Sequence, residues 1–377
     1  SNDDFLRTTQ ERHHQGVREI IRRLPDAGDL YAATHEGWYC SPCETFYTEK
    51  ELGPDKTCPV HGTAVEWKSE ENVFFRLSKY QQPLLDWYDS DLEPVRPATR
   101  RNEVRSFVEA GLRDLSVSRA SLEWGIPFPG YPGQTVYVWL DALTNYISAL
   151  GYGSGDGDLY RKLWQEGDVR LHLIGKDILR HHAVYWPAFL MSAGLELPRQ
   201  VFGHGHVLLR GEKMSKSAGN VVGADELVRA FGVDPLRYFL LREVTFGQDG
   251  SYSSEGILAR VNADLANSFG NLAQRTLSFI ARNCDGVLPY GGKPDPADDA
   301  LLALVAEVAR GDFPAHFESL QLSQAVEGWL KAVFACNQYI DSQAPWALRK
   351  TDSERMRAVL ATLYVAIRDL AIVIQPV

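Results

Sequence analysis

The sequence is 377 residues long, with 45% hydrophobic and 23% charged residues; that is room for two or three domains with their own cores, and it excludes both a disulfide-stapled miniprotein and a disordered chain. With 39 Lys and Arg against 49 Asp and Glu, the net charge is -10, so nothing draws the whole molecule to nucleic acid or an anionic membrane, and any such contact must use local basic patches. The longest apolar runs, Leu301–Val305 and Leu370–Ile374, fall far short of the roughly 18 to 20 residues that span a bilayer, and the polar, acidic Ser1-Asn2-Asp3-Asp4 lacks the organisation of a signal peptide, which predicts a cytoplasmic protein.

From Leu6 to Leu24 the apolar Val17, Ile20, Ile21 and Leu24 recur at three and four residues, with Thr8 and Glu11 spaced as a capping box, which predicts an amphipathic helix. A Cys-, Gly- and aromatic-rich stretch follows to about Pro129, with strand-like runs such as Val73–Leu77. Inside it, Cys40-x2-Cys43 and, fourteen residues on, Cys58-x2-His61 form two knuckles. Each puts two ligands on a tight turn, and four protein ligands leave a tetrahedral metal no open position, so the spacing predicts structural zinc within about residues 37–67. Cys284 and Cys336 stand alone on helical patterns and are read as core.

From Tyr131 to Leu209 the pattern alternates: a strand at Thr135–Leu140, a helix from Ala142, a strand at Arg170–Ile174, a helix at Asp177–Ala193, and a strand at Gln200–Leu209. Strands separated by crossover helices imply a parallel sheet, whose ligand sits outside the carboxyl ends, beside Gly175–Asp177 and Gly203–His206. In the following segment, Gly211 to Asn220, Lys213 and Lys216 stand three apart among small residues. Two ammonium groups on a flexible loop suit a polyphosphate and the charge that develops on attack at phosphorus. Beyond Asp225 the period is helical, with Asp234-Pro235 as a helix start and long patterns at Glu255–Arg282, Asp298–Arg310, Leu320–Gln338 and Asp352–Ile374, which predicts a terminal bundle.

Lys213-Met214-Ser215-Lys216-Ser217 resembles the second signature of class I aminoacyl-tRNA synthetases. Tyr137-Val138-Trp139-Leu140-Asp141-Ala142, Gly175-Lys176-Asp177-Ile178, Tyr185-Trp186-Pro187-Ala188 and Gly203-His204-Gly205 are similar, in the same order, to the methionyl-tRNA synthetase family. The resemblance implies an α/β protein: a Rossmann-like catalytic domain with a zinc-knuckle insertion, followed by an all-α anticodon-binding bundle. The boundaries expected are 1–130 for the insertion region, 131–250 for the second half of the catalytic domain, and 251–377 for an incomplete bundle. It implies a methionine pocket of Trp139, Ala142, Tyr146 and His182, whose aromatic wall suits a thioether. It implies ATP contacts from Gly175, Asp177, His204, Val207, Lys213 and Lys216, with Lys213, Lys216 and His204 catalytic, and an anticodon-reading set of Asn271, Arg275 and Trp346, with Pro345-Trp346 expected in a turn.

The implied reaction is ATP-dependent activation of L-methionine to methionyl-adenylate and transfer to tRNA(Met), with structural Zn2+ and with Mg2+ carried by ATP. Two features depart from the family pattern. Position 181 is His where the pattern has Phe, and the first signature, His-Ile-Gly-His, occurs nowhere in the sequence. With the start at Ser1 and the stop at Val377 after an apolar helical stretch, the expectation is a chain cut at both ends and poorly active alone. Alternatives are a non-catalytic tRNA-binding paralogue and a class I synthetase for another apolar amino acid. Oligomeric state is left open.

Overall fold

The computed structural model describes residues 2–43, 45–60, 62–155, 157–209, 211–214 and 220–377, with backbone alone at His35, Cys43, Thr45 and Lys213. Two units form, Ser1–Gly203 and His204–Val377.

The first unit starts with helix α1 (Glu11–Arg23), which buries His13, Gly16, Val17, Ile20 and Ile21 along one face. The expected capping box does not form. Gln10, held in a turn by its N–H to the Arg7 carbonyl, takes the extended cap position, and no side chain caps the helix. Strands β1 (Leu30–Cys40), β2 (Thr45–Tyr47) and β3 (Glu66–Phe75) follow. β1 and β3 run antiparallel from Leu30 opposite Phe75 to Tyr39 opposite Glu66, and β2 flanks the far end of β1. Val73 and Phe75 join the main core, whereas Cys40, Cys58 and Val65 make a small separate cluster.

Helix α2 (Gln81–Tyr88), strand β4 (Val95–Arg96) and helix α3 (Ala98–Glu109) lead to β5 (Leu115–Ser116), which lies beside β3. Strands β6 (Ser118–Arg119) and β7 (Thr135–Val136) pair antiparallel. Here the chain departs from the expected strand at Thr135–Leu140. Only Thr135 and Val136 form a strand, and helices α4 (Val138–Leu143) and α5 (Asn145–Ser148) take over. β-Branched and aromatic residues gave this run a strand-like look, but Leu140, Leu143, Thr144, Ile147 and Ser148 are the buried positions, which is a helical period that tertiary packing selects over local propensity.

Strand β8 (Leu171–Gly175) runs into a tight turn at Lys176–Ile178, a wide π-type turn at His181–Tyr185 and helix α6 (Trp186–Ser192). Strand β9 (Gln200–His204) lies between β4 and β8 and pairs parallel to β4, Val95 opposite Val201. The carboxyl ends of β8 and β9 carry Gly175 and Gly203-His204.

The expected continuous strand at Gln200–Leu209 is broken. β10 (Val207–Leu209) belongs to a different sheet, between β11 (Glu212–Lys213) and β12 (Gly250–Tyr252). At the break, a Cβ on Gly205 would lie 2.1 Å from the Gln248 carbonyl oxygen, so the backbone approach at this bend admits only glycine. In this second unit helices α7 (Ala224–Phe231) and α8 (Val233–Glu243) precede β12. α8 starts after Gly232, at φ 87°, so Asp234 lies in its first turn rather than at its cap. The bundle follows: α9 (Ser254–Arg260), a π-type stretch at Val261–Gly270, α10 (Asn271–Asn283), α11 (Pro296–Glu307), α12 (Phe313–Glu318), α13 (Leu322–Gln343), α14 (Pro345–Thr351) and α15 (Ser353–Val373). Its core centres on Trp329, Val333, Cys336, Leu363 and Leu370. Arg355 of α15 grips Asp298 of α11 through two bonds of 2.5 and 2.7 Å, and Tyr339 of α13 donates to the same carboxylate. Arginine and hydroxyl together pull the Asp298 carboxyl below its ordinary range against the opposing effect of burial.

Candidate active site and anticodon groove

In the first unit, Trp139, Ala142 and Tyr146 fall at i, i+3 and i+7 along α4 and α5, one face of a helical path. The π-type turn after β8 brings His181 and His182 against them. His181 stacks on Trp139 with centroids 3.6 Å apart and planes 17° apart. His182 stands edge-on to both Trp139 and Tyr146, at 6.4 and 5.5 Å. Behind Tyr146, His172 of β8 stacks at 3.8 Å and accepts the Trp186 indole N–H at 3.2 Å. Of the residues expected in the methionine pocket, Trp139, Tyr146 and His182 thus come together, framed by His172, His181 and Trp186, and Ala142 lies one turn after Trp139 on the same helical path.

Hydrogen bonding orders this wall. His182 Nδ1 faces the Ile178 carbonyl at 2.9 Å and its Nε2 faces the Tyr146 hydroxyl at 2.8 Å. A carbonyl only accepts, so Nδ1 carries the proton and Nε2 receives the phenol's. Burial holds the His172 imidazole down to about 3 and the His181 imidazole to about 4, with the neighbouring His182 adding to both and Arg180 to His181. The wall is therefore neutral near pH 7, and an uncharged aromatic slot suits an apolar or thioether side chain. Among the described residues, none gives buried His181 Nδ1 a hydrogen bond.

Gly175 ends β8, where a Cβ would meet Asp177 Oδ1 at 2.6 Å; the absent side chain leaves the Asp177 carboxylate at the strand's carboxyl end. In the second unit, His204 bonds through Nδ1 with the Gly205 carbonyl at 2.8 Å and stacks beside Phe246. Val207 is partly exposed on β10, with Gly250 opposite it. Lys213 ends β11 opposite Leu208. Its side chain and the whole of Lys216 lie outside the described residues.

Cys40 and Cys58 are buried in one cluster, and the Val60 N–H donates to Cys58 Sγ at 3.4 Å. The Cys43 side chain and His61 lie outside the described residues. Among the described residues no group of three or more His, Cys, Asp or Glu side chains could hold a metal ion.

In the bundle, Arg275 of α10 and Trp346 of α14 line one groove of about 520 Å³ with Phe279, Arg282 and Arg349. The Arg275 guanidinium lies 5.5 Å from the Trp346 ring centroid and bonds Asp341 at 2.7 Å. Trp346 is 45% exposed. Pro345-Trp346 opens a helix rather than occupying a turn: Ala344 reverses the chain at φ 43°, and Pro345 then sits at the first helical position. Asn271 is on the exposed side of α10 and is not part of this lining.

Two neighbours of this aromatic wall escaped the sequence reading. His172 had no signal beyond its place on β8. His13 lies 128 residues from Asp141, its partner at 2.7 Å, and only the fold joins them.

No helix among the described residues is long and apolar enough to cross a membrane. Residues 1–277 match the family model described as tRNA synthetases class I (M), and residues 288–377 match the anticodon binding domain of methionyl tRNA ligase. The chain is 49% identical over its whole length to the methionine--tRNA ligases of Rhizobium meliloti (strain 1021) and Mycobacterium tuberculosis (strain ATCC 25618 / H37Rv), covering 73% of each. It is similar over its whole length, at a TM-score of 0.93 and 48% identity, to the crystal structure of Mycobacterium tuberculosis methionyl-tRNA synthetase bound by methionyl-adenylate, of which it covers 75%; against the apo form of that enzyme the values are 0.91 and 46%. A helical, anticodon-binding carboxyl-terminal part and a mixed α/β part with a neutral aromatic slot thus occur together in one chain, which belongs to the class I methionyl-tRNA synthetase family.

Proposed function

We propose that this chain serves as a methionine--tRNA ligase whose methionine side chain packs in the slot of Trp139, Ala142, Tyr146 and His182. The observation that carries the reading is the convergence of Trp139, Tyr146 and His182 on one neutral aromatic wall, in a chain whose relatives at 49% identity are methionine--tRNA ligases. The methionine carboxylate oxygen attacks the α-phosphorus of ATP; the bond to the bridging oxygen breaks, and pyrophosphate leaves with the electron pair. The terminal ribose hydroxyl of tRNA(Met) then attacks the carbonyl of methionyl-adenylate, loses its proton, and AMP departs. Neither step needs a nucleophile from the protein, so catalysis rests on positioning and charge stabilisation.

In this reading Asp177 and Gly175 hold the ribose side of ATP, Val207 lies by the adenine, and His204, Lys213 and Lys216 neutralise the phosphates as charge develops. Mg2+ carried by ATP supplies further neutralisation of the polyphosphate. Arg275 and Trp346 read unpaired anticodon bases by guanidinium and indole, and Asn271, one turn before Arg275 on α10 and outside their groove, joins the set as an amide for base edges. The working division is 1–130, 131–250 and 251–377, and the site of action is the cytoplasm.

The same reading assigns Cys40, Cys43, Cys58 and His61 to one structural zinc. The described thiols fit such a site: both are buried, and a backbone N–H two residues on points at the Cys58 sulfur as it would at a ligating thiolate. Zinc there would close the end of the β1–β3 ladder, where the cluster of Cys40, Cys58 and Val65 is too small to hold by burial alone.

The experiment is attachment of labelled amino acids to tRNA by the full product of the gene that encodes these residues, across the twenty amino acids. Methionine alone should charge, on tRNA with a methionine anticodon. Charging with leucine, isoleucine or valine in preference would replace the assignment of substrate. Strong tRNA binding with no charging of any amino acid would support the non-catalytic alternative.

A further inference from the structure

His13 lies on α1, outside the residue sets assigned above, and is completely buried. Both of its ring nitrogens are engaged, each by a residue of the helical path that carries the pocket. Nε2 lies 2.7 Å from Asp141 Oδ1 and Nδ1 lies 2.8 Å from Ser148 Oγ. A carboxylate only accepts, so Nε2 carries a hydrogen; in the neutral ring Nδ1 then receives the Ser148 hydroxyl's. The Asn145 carbonyl, at 3.4 Å from the same hydroxyl, is the weaker acceptor.

The composition is that of a hydrolytic triad, but Ser148 is completely buried and no substrate carbonyl reaches its oxygen. The geometry serves another purpose. Asp141 lies in α4 between Trp139 and Ala142, and Ser148 ends α5, two residues after Tyr146. One rigid imidazole therefore spans the junction of two short helices, of six and four residues, too short to hold their own geometry.

The packing around His13 is equally close. A Cβ on Gly16 would come within 2.7 Å of Ser148 Cβ and 3.0 Å of the Tyr152 carbonyl oxygen. A Cβ on Gly153, at φ 78°, would come within 2.9 Å of the Gln15 carbonyl oxygen. α1 thus approaches the α5 end at backbone contact, and His13 is placed one helical turn before that contact.

We infer that His13 is a positioning residue for methionine recognition: by bridging Asp141 and Ser148 it fixes the angle between α4 and α5, and with it the separation of Trp139 from Tyr146. The inference rests on the pocket assignment proposed above. It assigns to α1 a role in amino-acid affinity, with no corresponding role in ATP affinity.

The test is methionine-dependent pyrophosphate exchange by the full gene product, with KM measured separately for methionine and ATP. His13→Ala is expected to raise the methionine KM about tenfold or more and the ATP KM less than about twofold, since a displacement of an ångström or less in a binding wall acts on what that wall binds. Asp141→Ala should do the same, whereas Asp141→Asn keeps an oxygen for the Nε2 hydrogen and should return the methionine KM to within about threefold of the parent. Should His13→Ala fail to fold, the two Asp141 variants decide. A folded His13→Ala with unchanged methionine KM, a proportional rise in both KM values, or Asp141→Asn no better than Asp141→Ala would each overturn the inference. Tyr146→Ala separates the two readings: if it raises the methionine KM and His13→Ala does not, the role of His13 falls alone; if it does not, the pocket assignment falls and the role of His13 with it.

Discussion

Tyr146 donates its hydroxyl to Nε2 of His182 at 2.8 Å, and the direction of that bond is set from the opposite side of the ring, where Nδ1–H is committed to the Ile178 carbonyl. Phenol, imidazole and backbone form one chain in which each proton has a single place to go. Tyr146→Phe keeps the ring stacked on His172 but leaves the buried Nε2 without a donor. The expected cost is about 1 to 3 kcal/mol in thermal unfolding, with a higher methionine KM and an unchanged ATP KM. Equal stability of variant and parent would show that water replaces the phenol at no cost.

His181 makes stability depend on acid. Burial first, then the neighbouring His182 and Arg180, hold its imidazole at about 4 in the folded chain, against an ordinary 6.5. Below pH 6.5 the unfolded chain takes up a proton there that the folded chain refuses, so stability falls as pH drops from 6.5 toward 4 and levels off beneath. His172, held at about 3, acts in the same sense. His181→Phe removes one of these protons while keeping an aromatic face on Trp139. Unfolding midpoints measured from pH 7.5 to 4 should fall less steeply for the variant than for the parent; parallel curves would contradict the neutral, buried imidazole.

For the zinc assignment, purified protein should contain one zinc per chain, and Cys58→Ser should lower that content. Hydrogen exchange should then quicken between Gly37 and Trp67 and stay unchanged in the bundle around Trp329. A metal-free parent with full protection in that segment would end the assignment.

Trp346 and Arg275 share a groove, and the 45% exposure of the indole leaves a face for an unpaired base. Trp346→Ala should weaken binding of tRNA with a methionine anticodon by about 1 to 3 kcal/mol. Methionine-dependent exchange, which needs no tRNA, should stay the same. Binding equal to the parent's would remove Trp346 from the anticodon set.

The bundle was legible because its signal is local: buried positions at three- and four-residue spacing survive whatever packs against them, as at Val326, Leu330 and Val333 of α13. Thr135–Leu140 misled for the opposite reason. Its local alternation of β-branched and aromatic residues is strand-like, and the helix forms because Leu140, Leu143 and Ile147 meet the core together. The residues expected in the methionine pocket follow from the family resemblance of their motifs, yet the shared face of Trp139, Ala142 and Tyr146 became visible only once that segment was helical. His13 had no signal at all in the sequence, since its partners stand 128 and 135 residues away. Cys40 and Cys58 share one small buried cluster.

The central claim is that Trp139 and Tyr146 hold the methionine side chain, and pyrophosphate exchange by the full gene product with Trp139→Ala tests it most directly. The methionine KM should rise by about a hundredfold or more with the ATP KM within about twofold of the parent, as expected when a group that touches only one substrate is removed. An unchanged methionine KM in a folded Trp139→Ala protein would contradict it.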